Sequence, residues 1–214
     1  FPKPGVGLLQ KPNNSPYLFN YDYLVNPFKI SVEENHQEIQ YTVQPLECRG
    51  YSIHMVKTIS ICQDKLSISY ELHNKGSQFF ETEEYMHNFI GINNNEVDSA
   101  YILTLPGSIR IENPESSYTS ELLQLSEGTI SWNKTPERPF YCELAGWENL
   151  DNNFTWELVH KQSGVGVRES GDFAVSRIVL WGERHVISPE VFVNIELAPG
   201  QSQRWSRTYQ FFNV

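Results

Sequence analysis

The chain has 214 residues, of which 39% are hydrophobic and 20% charged, and its formal net charge is -10 with a pI near 5.1. Those proportions belong to a folded globular chain and exclude a disordered one. The acidic balance, without a basic patch or stripe, argues against nucleic acid and against anionic membrane surfaces as partners.

The length suits one large all-β domain with a real core, read as a single domain over residues 1–214. No run reaches the roughly 18 apolar residues of a membrane helix, and no signal-peptide pattern is visible. Cys48, Cys62 and Cys142 form no C-x-x-C pair. So sparse and odd a set reads as reduced thiols, and the expected compartment is the cytoplasm. Asn13-Asn14-Ser15, Asn133-Lys134-Thr135 and Asn153-Phe154-Thr155 match the glycosylation sequon, a pattern frequent by chance.

Taken in chain order, Pro2 to Pro16 reads as a surface loop with weak strand content. Residues 57–61 and 66–72 alternate apolar with polar side chains and are separated by Gln63-Asp64, which predicts a hairpin. Asn74-Lys75-Gly76 punctuates the chain. Residues 79–92 read as one long aromatic strand, ended by Asn93-Asn94-Asn95. Residues 118–125 are the one stretch that suits a short helix. Further strands follow at 156–160, 165–168 and 173–181, then at 191–197 and 205–211, with Pro199-Gly200 turning the chain between the last two. Short strands at even spacing predict a sandwich or barrel rather than βαβ units.

Five Trp, eleven Tyr and twelve Phe suit half-buried pleated surfaces, and they also suit stacking on the apolar faces of sugar rings. No H-x-H, H-E-x-x-H or G-x-S-x-G pattern occurs. Metal ligation and a serine nucleophile therefore have no motif to stand on.

Three stretches together resemble the galactose mutarotase-like (aldose 1-epimerase-like) superfamily. They are the paired strands ending in Asn74-Lys75-Gly76, the segment Tyr85-Met86-His87-Asn88-Phe89, and Pro189-Glu190-Val191-Phe192 running into Leu197-Ala198-Pro199-Gly200 and then Trp205 and Tyr209. The His segment is most similar to uncharacterised bacterial members. The resemblance implies a β-supersandwich with a concave sugar-binding face, here without the N-terminal strands of longer members. It also implies a monosaccharide or short oligosaccharide as partner and a reaction that uses no cofactor or metal.

Interconversion of sugar anomers is expected to need one acid and one base on opposite sides of the C1–O5 region, with pKa values near working pH. Histidine is a natural acid there, and a carboxylate in apolar surroundings becomes a competent base. The expected assignment is His87 as acid and Glu190 as base. Alternation on a strand would put Tyr85, His87 and Phe89 on one face and turn Asn88 away. Glu83 and Glu84, being adjacent, would face opposite sides. Tyr85, Asn88, Trp181, Arg184 and His185 are candidate sugar contacts. A carbohydrate-binding domain without turnover, or a sandwich with no sugar site, fits the same residues.

Overall fold

The computed structural model describes residues 1–147 and 154–214. The third sequon begins at Asn153, outside the described residues. Strands dominate. The first seven are β1 (Pro2–Lys3), β2 (Gly7–Gln10), β3 (Leu24–Pro27), β4 (Lys29–Glu34), β5 (Glu38–Gln44), β6 (Ile53–Cys62) and β7 (Lys65–Asn74). Next come β8 (Phe80–Glu84), β9 (Tyr101–Thr104), β10 (Arg110–Glu112), helix α1 (Ser117–Leu122), β11 (Leu123–Ser126), β12 (Thr129–Trp132) and β13 (Phe140–Ala145). The last five are β14 (Phe154–His160), β15 (Val165–Gly171), β16 (Val175–Glu183), β17 (Val186–Leu197) and β18 (Ser202–Asn213).

The chain forms two compact units. The first comprises Phe1–Ile61, Ser67–Thr82 and Ile195–Trp205. It holds the antiparallel sheet β1-β2-β3 and the strand run β4-β5-β6-β7. Val43, Ile53, Ile68, Leu72, Leu197 and Trp205 are buried in it. The Gln63-Asp64 turn between β6 and β7 occurs as read, with Gln63 at φ 54°. The N-terminal stretch is more ordered than read, since two short strands form within it.

Asn74 organises the end of β7. Its buried amide donates to the carbonyls of Gln78 and Leu197 and accepts from the Gly76 N–H. The Asn74 backbone exchanges hydrogen bonds with Gln201 and Gly200. One side chain thus ties the Asn74-Lys75-Gly76 turn to the Pro199-Gly200 turn. Gly76 must lack a side chain, because a Cβ there would stand 2.1 Å from the Gly50 carbonyl oxygen.

The second unit comprises Cys62–Leu66, Glu83–Asn194 and Ser206–Val214. One sheet in it runs β11-β12-β9-β14-β15-β18, and a second aligns β10-β13-β16-β17. Trp132 of β12 meets Phe140 of β13 edge-on at 6.4 Å, so the two sheets share a core. Leu103, Ile130, Trp156, Leu158, Ile178 and Leu180 fill it.

Two expectations are corrected. The helix spans six residues and stops at Leu122, because Leu123 to Ser126 pair in register with Trp132 to Thr129. So short a helix, with no side-chain cap, yields to strand pairing. The strand expected over 79–92 ends at Glu84, and beyond it only a single bridge, Ile90 to Ile187, rejoins a strand. The break follows from Asn88, whose backbone N–H bonds the Ser188 hydroxyl rather than a ladder carbonyl.

Removing the Asn74 amide leaves three backbone groups without their partner. Asn74→Ala is expected to cost about 3 kcal/mol of stability, since unsatisfied buried groups are expensive. Chemical denaturation measures it, and a loss under about 0.5 kcal/mol would contradict the assignment of Asn74 as the tie.

Candidate functional site

Three neighbouring strands of the second unit carry the site. Register sets Cys142, Leu180 and Pro189 abreast, then Tyr141, Trp181 and Ser188, then Glu143, Val179 and Glu190. Side chains alternate across a sheet, so the first row faces one side and the other two rows face the opposite side. Cys142, Leu180 and Pro189 are buried in the core. The opposite face presents Tyr141, Trp181, Ser188 and Glu190, and Arg177 aligns with Phe192 further along it.

The 85–89 segment lies over this second face. His87 Nε2 stands 3.4 Å from Glu190 Oε1. The His87 ring stacks on Phe89 at 3.9 Å and meets Trp181 edge-on at 5.0 Å. Phe89 also meets Trp181 at 5.4 Å. Tyr85 stacks on Phe192 at 4.3 Å, and the Arg177 guanidinium lies 4.0 Å from the Phe192 ring. Phe89 holds a φ of 43°, an unusual conformation for a bulky side chain and one that marks functional segments. Tyr85, Phe89 and Trp181 thereby form an aromatic surface beside the pair, with 55% of Phe89 and 43% of Tyr85 open to solvent.

Burial sets the proton chemistry. Desolvation pushes the Glu190 carboxyl up to about 7, against the Ser188 hydroxyl that donates to it at 3.1 Å and the positive charge of Arg177. Desolvation pushes His87 below its ordinary 6.5. An imidazolium needs an acceptor for each N–H, yet His87 Nδ1 is buried with no hydrogen-bond partner among the described residues. Both effects favour a neutral ring, and burial favours the protonated form of the carboxyl beside it. Tyr85 is pushed up by burial and then by the nearby Glu190 charge, and Tyr141 by burial and then by the Glu143 charge.

The expected site residues divide into three groups. His87, Glu190, Trp181 and Tyr85 come together. Asn88 lies beyond the end of the strand, and its amide is spent on Glu169, Pro189 and Tyr209. Arg184 and His185 form the turn between β16 and β17, with Arg184 Nε on Glu96 at 2.8 Å. Glu83 and Glu84 do part, Glu83 to Arg177 and Glu84 to the buried Arg207. The sequence reading missed Tyr141, Arg177 and Ser188. Alternation within Phe140–Ala145 places Tyr141 and Glu143 on one face, but only the strand pairing brings that face to Glu190. Among the described residues no cluster of three His, Cys, Asp or Glu side chains could hold a metal.

The Glu190 shift has a testable consequence. A carboxyl near 7 when folded and near 4.5 when unfolded binds its proton more tightly in the folded state. Stability therefore falls as pH rises from about 4.5 through about 7, in total by about 3 kcal/mol. Glu190→Gln should raise stability at pH 8 and leave it unchanged at pH 4, as read by denaturant titration at both pH values. Equal effects at the two pH values would show that Glu190 titrates normally.

No protein-family model and no curated protein sequence matches the chain. Solved structures do. A candidate aldose 1-epimerase from Escherichia coli superimposes with a TM-score of 0.66 at 10% identity, covering 93% of this chain and 75% of that one. A second, from Klebsiella pneumoniae, gives 0.64 at 14% identity over 86% of this chain and 53% of that one. The chain thus spans about half the length of the Klebsiella protein. A galactose mutarotase related enzyme from Lactobacillus acidophilus gives 0.59 at 10% identity, covering 88% and 72%. Identities this low speak to architecture alone, and the chain has the all-β galactose mutarotase-like fold.

Proposed function

We propose that the chain, as one mutarotase-like domain, acts on a monosaccharide or short oligosaccharide and interconverts its anomers through His87 and Glu190. One observation carries the reading: a histidine and a largely buried carboxyl lie 3.4 Å apart beside an aromatic surface. The similar solved proteins described as aldose epimerases and mutarotases support the substrate class.

The chemistry follows from the proton count. The base takes the proton from the anomeric hydroxyl while the acid gives one to the ring oxygen, and the C1–O5 bond breaks to leave an aldehyde. Rotation about C1–C2 exposes the other face of the carbonyl, and reversal of the proton transfers closes the ring. Both oxygens are bonded to C1, so acid and base can stand close together. Neutral His87 with protonated Glu190, and charged His87 with ionised Glu190, carry the same proton count and serve opposite directions of the reaction. Trp181 and Phe89 offer the apolar face on which a pyranose stacks, and Tyr85 borders it. The reaction requires no metal or organic cofactor.

A carbohydrate-binding role without turnover is the second reading. The direct contact of His87 with Glu190 favours it, because a sugar must part the two before either can act.

NMR exchange between the anomers of a broad aldose panel decides. Acceleration over buffer is expected, with losses of about 10²- to 10⁴-fold in His87→Asn and Glu190→Gln. The rate should peak where the pair holds one proton. It should fall above about 7, where Glu190 loses that proton, and fall again at lower pH as His87 gains a second. A folded protein with no acceleration on any sugar sinks the enzymatic reading. Full activity in both variants sinks the residue assignment.

A further inference from the structure

A buried polar chain lies behind the His87 segment. Glu169 on β15 and Arg207 on β18 are both fully buried, and Arg207 Nη1 donates to Glu169 Oε1 at 2.9 Å. Arg207 Nη2 reaches Glu84 Oε2 and the Val191 carbonyl, each at 2.8 Å, and its guanidinium lies 4.6 Å from the Phe173 ring. The other Glu169 oxygen accepts from Trp156 Nε1 at 2.9 Å and from Asn88 Nδ2 at 3.3 Å. Burial pushes Glu169 up, against the Arg207 charge and the hydrogen bonds donated by Arg207, Asn88 and Trp156.

Asn88 is the link from this chain to the site. Its Nδ2 also donates to the Pro189 carbonyl, its Oδ1 accepts from the Tyr209 hydroxyl at 2.7 Å, and its backbone N–H donates to Ser188 Oγ at 2.8 Å. Ser188 Oγ donates in turn to Glu190. The two amide ends of Asn88 therefore have fixed roles: two acceptors face its nitrogen, and one donor faces its oxygen. That pattern admits a single orientation of the amide. The residue before Asn88 is His87 and the residue after it is Phe89.

We propose that Glu169 is a positioning residue: held by Arg207 and Trp156, it fixes the Asn88 amide, and Asn88 in turn sets the height of the His87 ring over Glu190. The arrangement explains why β8 stops at Glu84. Continuing the strand would carry Asn88 past Glu169 and strand a buried carboxylate without one of its donors. Glu169 reaches the site through its hydrogen bond with Asn88. The inference rests on the proposed proton-transfer role of His87 only for its effect on rate, because the ring position can be read without turnover.

The test compares wild type with Glu169→Gln, Asn88→Ala and Tyr209→Phe, each checked for folding by circular dichroism. Ring NMR titration reports the His87 pKa, and anomer exchange reports kcat and KM. In wild type burial is expected to hold the His87 titration below 6.5. In Glu169→Gln and Asn88→Ala the ring is expected to leave its buried contact with Phe89, so that its titration rises toward 6.5. Displacement of about 1 Å should lower kcat by about 100-fold with little change in KM. Tyr209→Phe, which removes one hydroxyl, should move the titration the same way by less. It also keeps the test open if the charge change prevents folding. A His87 titration unchanged in the folded variants overturns the proposal. A shifted titration in a protein that turns over no sugar upholds the positioning role and removes the catalytic reading alone.

Discussion

Glu190 is a carboxyl placed where water barely reaches it. Register on β17 puts it on the face away from the core, but the 85–89 segment covers that face and leaves only 7% of its side chain exposed. Burial without a full counter-charge favours the protonated form, and Arg177 only partly offsets it because Glu83 and Glu143 share the guanidinium. That placement favours the protonated form of Glu190, as burial favours the neutral imidazole of His87 beside it.

The cover cannot be a plain strand. Regular pairing would turn every second side chain toward the sheet and would spend each backbone amide on a ladder. The chain instead leaves the sheet after Glu84, gives one amide to a serine hydroxyl and accepts a positive φ at Phe89. Such a conformation costs free energy that the surroundings must offset. The hydrogen bonds gathered at Asn88 are the visible compensation, and they cluster around a buried ion pair that is costly to break by removing one partner. Stability and geometry thus rest on the same few groups.

Much of this was legible in the sequence. Period-two alternation marked β14 to β18, and the Asn74-Lys75-Gly76 and Pro199-Gly200 turns stood out because their residues favour turns. His87 and Glu190 were singled out by the resemblance of their segments to the mutarotase-like family, which their acid and base chemistry fits. What stayed hidden depends on pairing. Tyr141, Arg177 and Ser188 carry no motif and reach Glu190 only through the register of three strands. The break after Glu84 was invisible because residues 79–92 keep an aromatic strand-like pattern, while the cause lies in Glu169, Pro189 and Tyr209, far along the chain. Alternation could not orient Asn88, because the strand it assumes ends at Glu84, and its partners could not be named without the fold. Arg184 and His185 follow Trp181 closely in sequence, yet a hairpin turn carries them to the end of the strands.

The central claim is that a sugar is bound with its anomeric centre between His87 and Glu190. A crystal structure of the protein with a bound aldose tests it directly. The expected result places the anomeric hydroxyl and ring oxygen within hydrogen-bonding distance of His87 Nε2 and a Glu190 oxygen, with the pyranose face against Trp181 or Phe89. A sugar seated elsewhere, or a saturated crystal in which the 3.4 Å contact between His87 and Glu190 is unchanged, would contradict it.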